Sequence, residues 1–292
     1  MDRRELLKTA LAGTVALGFP SLLRGQDTVI VIDDREVNVV VFKSTDGVVL
    51  VDSGAPKSGD ILMAGIGSNA KVQTLFNTHC HTDQTGNNEM FAAAGANIIA
   101  HKRTLEWMSS DHWIQGEERF EIARPKAARP TKTFLTTGSL KTGGEQIDYG
   151  YLPLAHTNGD IYVFFRNSNV LAVGDVASPL RDPSLDYLTG AWIGGRVDAM
   201  DILLKVANEQ TRIVPAYGPT MSKAQFKAER DMMEQVRDRM FKQVREGDGP
   251  KDMLAAGVLK GLARTWKDPY KFLYDAAKGC WAHHDKLGPN VV

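Results

Sequence analysis

Four apolar, β-type segments of this chain stop at a histidine, an aspartate or a glycine turn. The first, KVQTLFNT, runs directly into a pair of histidines. The other three end at His156, at Asp175 and at the turn formed by residues 216–218. Polar groups that lie where buried strands end can meet at one rim of a rigid sheet, where binding and catalytic residues are often held. The chain is therefore expected to build a sheet whose rim carries a polar site.

The spacing of His79, His81 and Asp83 predicts a metal site at this rim. Side chains at i and i+2 of a strand end point the same way. Both imidazoles can then face one ion, while Cys80 faces the opposite side and the following loop folds Asp83 back. A pair of solvated or core histidines is the alternative interpretation of this motif taken alone. The ordered series of polar strand ends favours the metal site.

Helical and β-type segments alternate through the first half of the chain, which indicates an α/β fold. Asp46-Gly47 separates two β-branched runs, a typical hairpin signal. Helices are predicted at 58–68, 87–96, 196–210 and 223–246, with more helix through Tyr274, and strands at 28–33, 71–78, 97–101 and 211–219. Residues 102–130 and 178–195 are expected to be irregular loops, with β-rich segments between them. No Pro, Gly or Ser-rich linker divides the chain, so residues 26–292 are predicted to form one domain.

The first 25 residues resemble an export signal. Arg3 and Arg4 precede a short apolar run at 9–23, which is typical of twin-arginine signals. The run is too short and too interrupted for a membrane span, so no stable membrane insertion is expected after signal removal. This predicts a periplasmic or secreted protein, with a frayed amphipathic helix as the alternative.

Charge and cysteine content exclude several classes of function. The formal net charge is zero, which gives no electrostatic reason to expect nucleic acid as a partner. Two cysteines, Cys80 and Cys280, are too few for a disulfide-stabilised scaffold, and two buried thiols are expected. A small-molecule substrate remains the expected partner, and the oligomeric state is left open.

The motifs VVLVDSG, THCHTDQTG, AHTNGD, LAVGDVA and IVPAYGP, in this order, resemble the metallo-β-lactamase superfamily over about residues 45 to 220. The resemblance implies an αβ/βα sandwich, in which two β-sheets are covered by helices, here with extra C-terminal helices. It does not identify the substrate, because the superfamily includes lactamases, thioesterases, lactonases, nucleases and oxygenases.

The resemblance also implies roles for individual residues. His79, His81 and His156 would hold a first metal, and Asp175 would bridge to a second. The ligand positions of that second metal are occupied by Asp83 and Gln84. Asp52 and Asp160 would support the ligands from behind or stabilise turns.

Gln84 and Tyr217 depart from the family pattern, which usually has histidine at both positions. A glutamine carbonyl is a weak zinc ligand, and a tyrosine binds well only as the phenolate, with an unperturbed pKa near 10. We therefore expect one tightly bound zinc and a second position that is weak, empty or taken by a harder ion such as manganese or iron.

These features predict a metal-dependent hydrolase of an ester, lactone, thioester or lactam. Three histidines with an open position let zinc bring the pKa of water to about 7. Asp83 would orient that water or accept its proton, and Tyr217 would donate to a developing oxyanion or be a buried tyrosine bonded to the backbone. The alternatives are a mononuclear iron oxygenase that resembles the sulfur dioxygenases, using His79, His156 and Asp175, and a non-catalytic metal-binding accessory protein.

Substrate selection is assigned to the two loops at 102–130 and 178–195. The candidate substrate-binding residues there are Trp107, Trp113, Arg181, Tyr187 and Trp192. Aromatic side chains offer flat apolar surface and the arginine offers charge. Alternatively, the aromatic residues only anchor long loops to the core. The histidines at 101, 112, 283 and 284 have no motif around them and are not expected to be ligands.

Overall fold

Two β-sheets form the middle of the structure, and helices cover the outer face of each sheet. The computed structural model describes residues 29–34, 37–114 and 118–283. The predicted export signal at 1–25 and His284 lie outside the described residues. Within the described residues, no helix is long and apolar enough to cross a membrane.

The first sheet combines an antiparallel N-terminal part with a parallel part. In spatial order its strands, numbered along the chain, are β1 (Val29–Asp34), β2 (Val37–Ser44), β3 (Gly47–Val51), β4 (Val72–Phe76), β5 (Asn97–His101) and β8 (Lys132–Phe134). Strands β1 to β3 are antiparallel neighbours, as the Asp46-Gly47 hairpin signal predicts. The pairs from β3 to β8 are parallel and need crossover connections. The helices between these strands are α1 (Gly59–Ile66), α2 (Thr82–Thr85), α3 (Asn88–Ala93) and α4 (Lys102–Ser109).

The second sheet is antiparallel except at one edge. Its strands in spatial order are β13 (Arg212–Pro215), β12 (Val170–Gly174), β11 (Ile161–Phe165), β10 (Glu145–Tyr151) and β9 (Thr137–Thr142). Strands β12 and β13 are parallel, and helix α5 (Ile193–Val206) connects them. The helices that follow are α6 (Lys223–Glu246), α7 (Pro250–Ala255) and α8 (Pro269–Ala282).

Successive side chains along each strand face opposite sides of the sheet and therefore pack in different layers. Along β2, Val39 and Val41 pack with the outer helices of the first sheet, whereas Val40 and Phe42 pack against the second sheet. On the second sheet, Phe165 faces the first sheet and Phe164 faces the C-terminal helices. The order helix, sheet, sheet, helix confirms the predicted αβ/βα four-layer sandwich with extra C-terminal helices.

The prediction of an irregular segment at 102–130 is wrong. Residues 102–109 form α4, which buries Thr104 and Met108 and is capped by the His101 side chain. The strands β6 (His112–Ile114) and β7 (Arg119–Glu121) then pair as a hairpin, and short 3-10 turns occur at Lys126–Ala128 and Tyr187–Thr189. Helix α4 has only two buried positions, and strands β6 and β7 have three residues each, so none of them gives a clear periodic signal in the sequence.

Helix α5 begins three residues before its predicted start at 196 and ends before 210. Glycine has low helix propensity, so Gly194 and Gly195 suggest a later start. The structure needs a glycine here, since a Cβ atom at Gly195 would lie 2.4 Å from the carbonyl oxygen of Leu154. Close packing of the first helical turn therefore outweighs local propensity.

Candidate metal centre

The candidate site lies at the rim where strands of both sheets end. His79 and His81 follow β4, Asp175 follows β12 and Tyr217 follows β13. His156 lies in the connection between β10 and β11. The structure thus brings together polar residues from separate strand ends, as the sequence predicts.

Three imidazoles converge at this rim. The rings of His79, His81 and His156 have centroids 4.6 to 4.9 Å apart, and each pair meets edge to face. One nitrogen from each ring lies within 4.8 Å of the others. Imidazole nitrogens bind a divalent ion at about 2.0–2.1 Å, so a central ion could contact all three after small side-chain shifts.

Hydrogen bonds fix which nitrogen of His156 and His81 faces the cluster. His156 Nδ1 donates to the carbonyl oxygen of Ser184 at 3.0 Å, which leaves Nε2 as the inner atom. His81 Nε2 contacts Asp186 Oδ2 at 3.0 Å, which leaves Nδ1 as the inner atom. Those two inner nitrogens are 3.0 Å apart. Burial lowers the pKa of His81, but its contact with Asp186 outweighs burial and raises the pKa to about 9. Without an ion, His81 Nδ1 therefore carries a proton toward His156 Nε2, and a metal would displace that proton on binding.

The same argument holds for His79. Thr78 Oγ1 donates to Asp52 Oδ2 at 2.8 Å, so its contact with His79 Nδ1 at 3.1 Å must be donated by the imidazole. His79 Nε2 then carries the lone pair, is buried and has no hydrogen-bond partner in the part of the chain that the structure describes. Burial and the two neighbouring imidazoles lower the pKa of His79, which keeps the ring neutral. A divalent ion would satisfy this nitrogen, so the three histidines fit a metal.

Two buried carboxylates support the backbone around these histidines. Asp52 accepts from the backbone N–H of Thr78 at 2.7 Å. Asp160 accepts from the backbone N–H groups of His156 and Thr157 at 2.6 and 2.8 Å. Such contacts orient imidazoles, as expected of carboxylates behind a metal site.

Asp175 lies beside the imidazoles, where a shared ligand would be. Its Oδ2 is 3.6 Å from His79 Nε2 and 4.0 Å from His156 Nε2. Burial, followed by the nearby Asp83 carboxylate, raises the pKa of Asp175 to about 7. The backbone carbonyl of Asp175 accepts from Arg196 Nη1 at 2.9 Å, so a fully buried cation fixes this strand end.

The neighbouring position, predicted for a second metal, is built differently. The Tyr217 hydroxyl donates to Asp83 Oδ2. Burial and this hydrogen bond raise the pKa of Tyr217, so the phenol keeps its proton at neutral pH. The guanidinium of Arg181 lies 3.5 Å from the centroid of the Tyr217 ring. Asn38 fixes the turn that carries Tyr217, since its Nδ2 donates to the carbonyls on both sides of the turn at 2.9 and 2.7 Å.

The Gln84 side chain, in the third position of the short helix α2, is fully buried. Neither its Nε2 nor its Oε1 has a hydrogen-bond partner among the residues that the structure describes. Its backbone carbonyl, in contrast, accepts from Ser53 N at 2.8 Å. The main chain of Gln84 is therefore anchored while its amide group is left unsatisfied, which is unfavourable in a buried site.

Several residues that shape the site carry no local sequence signal. Asp186 is 105 positions from His81, and Ser184 is 28 positions from His156. Arg196 is 21 positions from Asp175, whose backbone carbonyl it contacts. Thr78 is part of the predicted strand, but its hydroxyl relay to Asp52 depends on tertiary structure. Only the assignment of loop 178–195 to the active-site rim pointed to this region.

The predicted substrate residues do not form one cluster. Trp107 lies beside a recess of about 40 Å³ that also contacts His81 and Cys80, and its Nε1 donates to Asn158 at 3.0 Å. Tyr187 lines a larger cleft of about 880 Å³. Arg181 lies on the far side of Tyr217, in a cavity of about 460 Å³. Trp113 is exposed on the β6–β7 hairpin.

The prediction of Trp192 as a substrate-binding residue is wrong. Its side chain is 6% exposed and belongs to the core beneath the C-terminal helices. The ring stacks on Phe241 and contacts His283. Trp192 therefore anchors its loop to the core, which was the alternative considered for the loop aromatics.

The remaining histidines and the cysteines behave mostly as expected. His101, His112 and His283 each contact a backbone carbonyl, at 3.0, 3.0 and 2.9 Å. Cys80 and Cys280 are free thiols. Cys280 is buried as predicted, whereas Cys80 is only half-buried because its strand end borders the small recess.

Comparisons with known proteins agree with this geometry. The sequence model of the metallo-beta-lactamase superfamily matches residues 32–218. The chain is similar to metallo-beta-lactamase IND-1 of Chryseobacterium indologenes, at 24% identity over 149 residues, which is 51% of this chain and 56% of that protein. The match thus spans little more than half the length of this curated relative.

Solved structures show the same fold. A metallo-beta-lactamase from Pontibacter korlensis has a TM-score of 0.57 at 19% identity, covering 68% of this chain and 87% of that one. The DIM-1 metallo-beta-lactamase has a TM-score of 0.56 at 17% identity, covering 72% and 95%. Identities this low support a shared fold and carry no information on substrate.

Proposed function

Because the chain belongs to the metallo-β-lactamase superfamily, we propose that it is a metal-dependent hydrolase acting on a carbonyl substrate such as an ester, lactone, thioester or lactam. One observation carries the proposal. The three imidazoles each leave one nitrogen for a common ion, and His79 Nε2 is buried without any other partner. His79, His81 and His156 would hold the ion, with Asp175 beside it. When bound, a divalent ion supplies Lewis acidity and lowers the pKa of water.

Asp83 is the proposed proton acceptor. It lines the large cleft together with His81, so its carboxylate is accessible to water and substrate at the metal end. A carboxylate at this place orients the attacking water and takes its proton. The hydrogen bond from Tyr217 restrains one carboxylate oxygen and so fixes the direction of the other.

Tyr217 is therefore proposed as a positioning residue for Asp83. Its protonated hydroxyl could also donate to a developing oxyanion, as the sequence suggested, but the hydrogen bond to Asp83 would first have to break. Tyr217 lines the cavity on the Arg181 side rather than the large cleft. This placement favours the indirect role.

We propose that the protein holds one zinc ion. The second position lacks both imidazoles of the family pattern, the Tyr217 proton is shared with Asp83, and the amide of Gln84 is a weak ligand. A harder ion, iron or manganese, is the alternative for a site that includes Asp83, Gln84 and Asp175.

Two other functions are less well supported. An iron oxygenase would use His79, His156 and Asp175, but His81 converges on the same point and is fixed there by Asp186. A non-catalytic metal-binding protein would not need a cleft of about 880 Å³ that reaches His81 and Asp83. Both observations favour hydrolysis.

The test combines metal analysis with a substrate panel. Protein purified without added metal is analysed for zinc, iron and manganese, then assayed with neutral esters, lactones, thioesters and β-lactams. We expect zinc-dependent hydrolysis of at least one class, abolished in His156→Ala. Iron together with oxygen consumption would support the oxygenase, and metal binding without turnover of any class would support the accessory protein.

Export by the twin-arginine route remains a proposal. Folded export suits a protein that acquires its metal in the cytoplasm, and Arg3-Arg4 is the proposed recognition element. Replacing both arginines by lysine should retain the protein in the cytoplasm, as measured by fractionation. Equal export of the variant would contradict the proposal.

A further inference from the structure

We infer that the large cleft selects neutral acyl esters or lactones with an extended apolar group, and that the β6–β7 hairpin forms the wall against which this group lies. The inference rests on the proposed hydrolytic function and names its substrate class. It starts from the shape of the cleft, which runs from His81 and Asp83 to the hairpin and to the first turns of α8.

Large apolar side chains are exposed along this cleft. Phe120 is 59% exposed, Ile122 is 63% exposed and Leu188 is 39% exposed, and all three line it. Exposed apolar area is unfavourable in water, and a cluster of it beside a polar site marks a binding surface. Covering these side chains with the apolar part of a ligand would therefore contribute favourably to the free energy of binding.

The hairpin holds this surface in place. Trp113 and Phe120 are direct cross-strand partners, with ring centroids 5.0 Å apart and planes at 60°. Such an aromatic pair stabilises a short hairpin and restricts the Phe120 ring. Trp113 thus packs beside Phe120 on the same face of the hairpin and supports the wall from its side.

The cations of the cleft are neutralised within the protein. Among the described side chains that line it, Arg124 Nη2 is 2.6 Å from Glu121 Oε1, and Lys271 Nζ is 2.5 Å from Asp275 Oδ2. An anionic substrate would meet a carboxylate beside each cation. Asp83 and Asp186 also line the cleft, so the electrostatics disfavour an anionic acyl group, whereas an uncharged one meets no repulsion.

The inner recess beside Cys80 does not accommodate the apolar group. Its volume is about 40 Å³, little more than the space of one water molecule in the liquid. A chain of several methylenes must therefore extend through the outer cleft, past Ile122 and Phe120. The length of the acyl chain should consequently affect substrate binding, because a longer chain contacts more of the hairpin.

The experiment measures kcat/KM for p-nitrophenyl acetate, butyrate, hexanoate and octanoate with the zinc-loaded protein. We expect kcat/KM to rise about two- to fourfold per added methylene, as expected for partly to fully buried methylenes. Phe120→Ala and Ile122→Ala should flatten this rise, so that octanoate loses far more kcat/KM than acetate does. Leu254→Ala, which removes a side chain 41% exposed on α7 outside the cleft, is the matched control and should keep the rise.

Two results would overturn the inference. The first is hydrolysis of the esters by the wild-type protein with a kcat/KM that does not depend on the length of the acyl chain. This result would contradict the apolar wall and leave the proposed hydrolase function intact. The other is faster turnover of an acyl ester with a terminal carboxylate than of a neutral ester of equal length.

A binding measurement separates this inference from the proposed function. The neutral apolar dye N-phenyl-1-naphthylamine should bind the wild-type protein and the inactive His156→Ala variant, and octanamide should displace it. Phe120→Ala should weaken dye binding at least about fivefold, while Leu254→Ala should not. If no ester or lactone is hydrolysed, Phe120-dependent dye binding would still support the apolar wall, and dye binding that is indifferent to Phe120 would contradict it.

Discussion

Two adjacent parts of the rim satisfy their polar atoms in opposite ways. At the three-histidine position, every imidazole has its outer nitrogen in a hydrogen bond and its inner nitrogen directed at the others. At the neighbouring position, the Tyr217 hydroxyl donates a hydrogen bond to Asp83, and the amide of Gln84 has no partner among the described residues. In the first arrangement His79 Nε2 has no partner among the described residues, whereas in the second the Tyr217 hydroxyl already occupies a carboxylate oxygen of Asp83 that the proposed second metal would need.

The comparison shows how one fold can keep one ligand set and alter the next. Both sets use residues that follow β4, whereas His156 comes from the β10–β11 connection and Tyr217 from the end of β13. What differs is the support of each side chain. The outer nitrogen of His79 contacts the Thr78 hydroxyl, that of His81 contacts the Asp186 carboxylate and that of His156 contacts the Ser184 carbonyl, whereas the amide of Gln84 has no partner among the described residues. Ligand identity and supporting hydrogen bonds together determine which position can bind zinc tightly.

The largest effect is expected from removing one imidazole. His156→Ala leaves two histidines and opens the buried site, so zinc content should fall from about one to below about 0.1 per chain and hydrolysis by at least about 10³-fold. His283→Ala, which alters a histidine bonded to the Gly190 carbonyl, should retain full metal content. Stoichiometric zinc in His156→Ala would contradict the proposal that His156 helps to bind the ion.

The second prediction rebuilds the altered position. The double variant Gln84→His, Tyr217→His supplies two imidazoles beside Asp83 and removes the proton donated to it. Zinc content should rise from about one to about two per chain, as measured by equilibrium dialysis and metal analysis. The matched variant Gln84→Met, Tyr217→Phe should stay at about one. No gain in the histidine variant would mean that backbone geometry, rather than ligand identity, excludes the second ion.

The third prediction tests the support behind His81. Asp186→Asn keeps the shape of the side chain but removes its negative charge from the 3.0 Å contact with His81 Nε2. Zinc affinity should fall by about 10- to 100-fold, as for other outer partners of metal-binding histidines. Competition with a chelator measures this, and Asp198→Asn on the exposed side of α5 is the control. An unchanged affinity would show that the Asp186 contact does not orient the ring.

The smallest effect is expected from Tyr217→Phe, which removes only the hydroxyl that donates to Asp83. Hydrolysis should slow by about three- to tenfold because Asp83 loses the one hydrogen bond that fixes its direction, while zinc affinity stays the same. Tyr162→Phe on β11, where the tyrosine packs against the helices, is the control. A loss of zinc in Tyr217→Phe would place this tyrosine among the metal-binding groups instead.

Local sequence signals were sufficient for much of the fold. Helix α6 was predicted at 223–246 and has these bounds because strong signals mark both ends. Ser222 and Gln225 form a capping box before it, and Gly247 adopts a left-handed conformation after it. The β2–β3 hairpin likewise follows from the two β-branched runs that Asp46-Gly47 separates.

The rest depends on contacts that no local pattern contains. His81 and Asp186 are 105 positions apart, so their hydrogen bond is visible only after folding. Trp192 stands in a loop that borders the site, yet packing against Phe241 places it in the core. The apolar wall was missed because β6 and β7 have three residues each, and its exposed Phe120 has no sequence feature that distinguishes it from a core phenylalanine.

Zinc stoichiometry of the wild-type protein tests the central claim most directly. The protein would be stripped with a chelator, dialysed against increasing free zinc and analysed for metal per chain. We predict one tightly bound zinc and no second ion below free zinc concentrations about 100-fold higher than those that fill the first site. Two zinc ions that bind with similar affinity would contradict the account, because Gln84 and Tyr217 would then leave the second position intact.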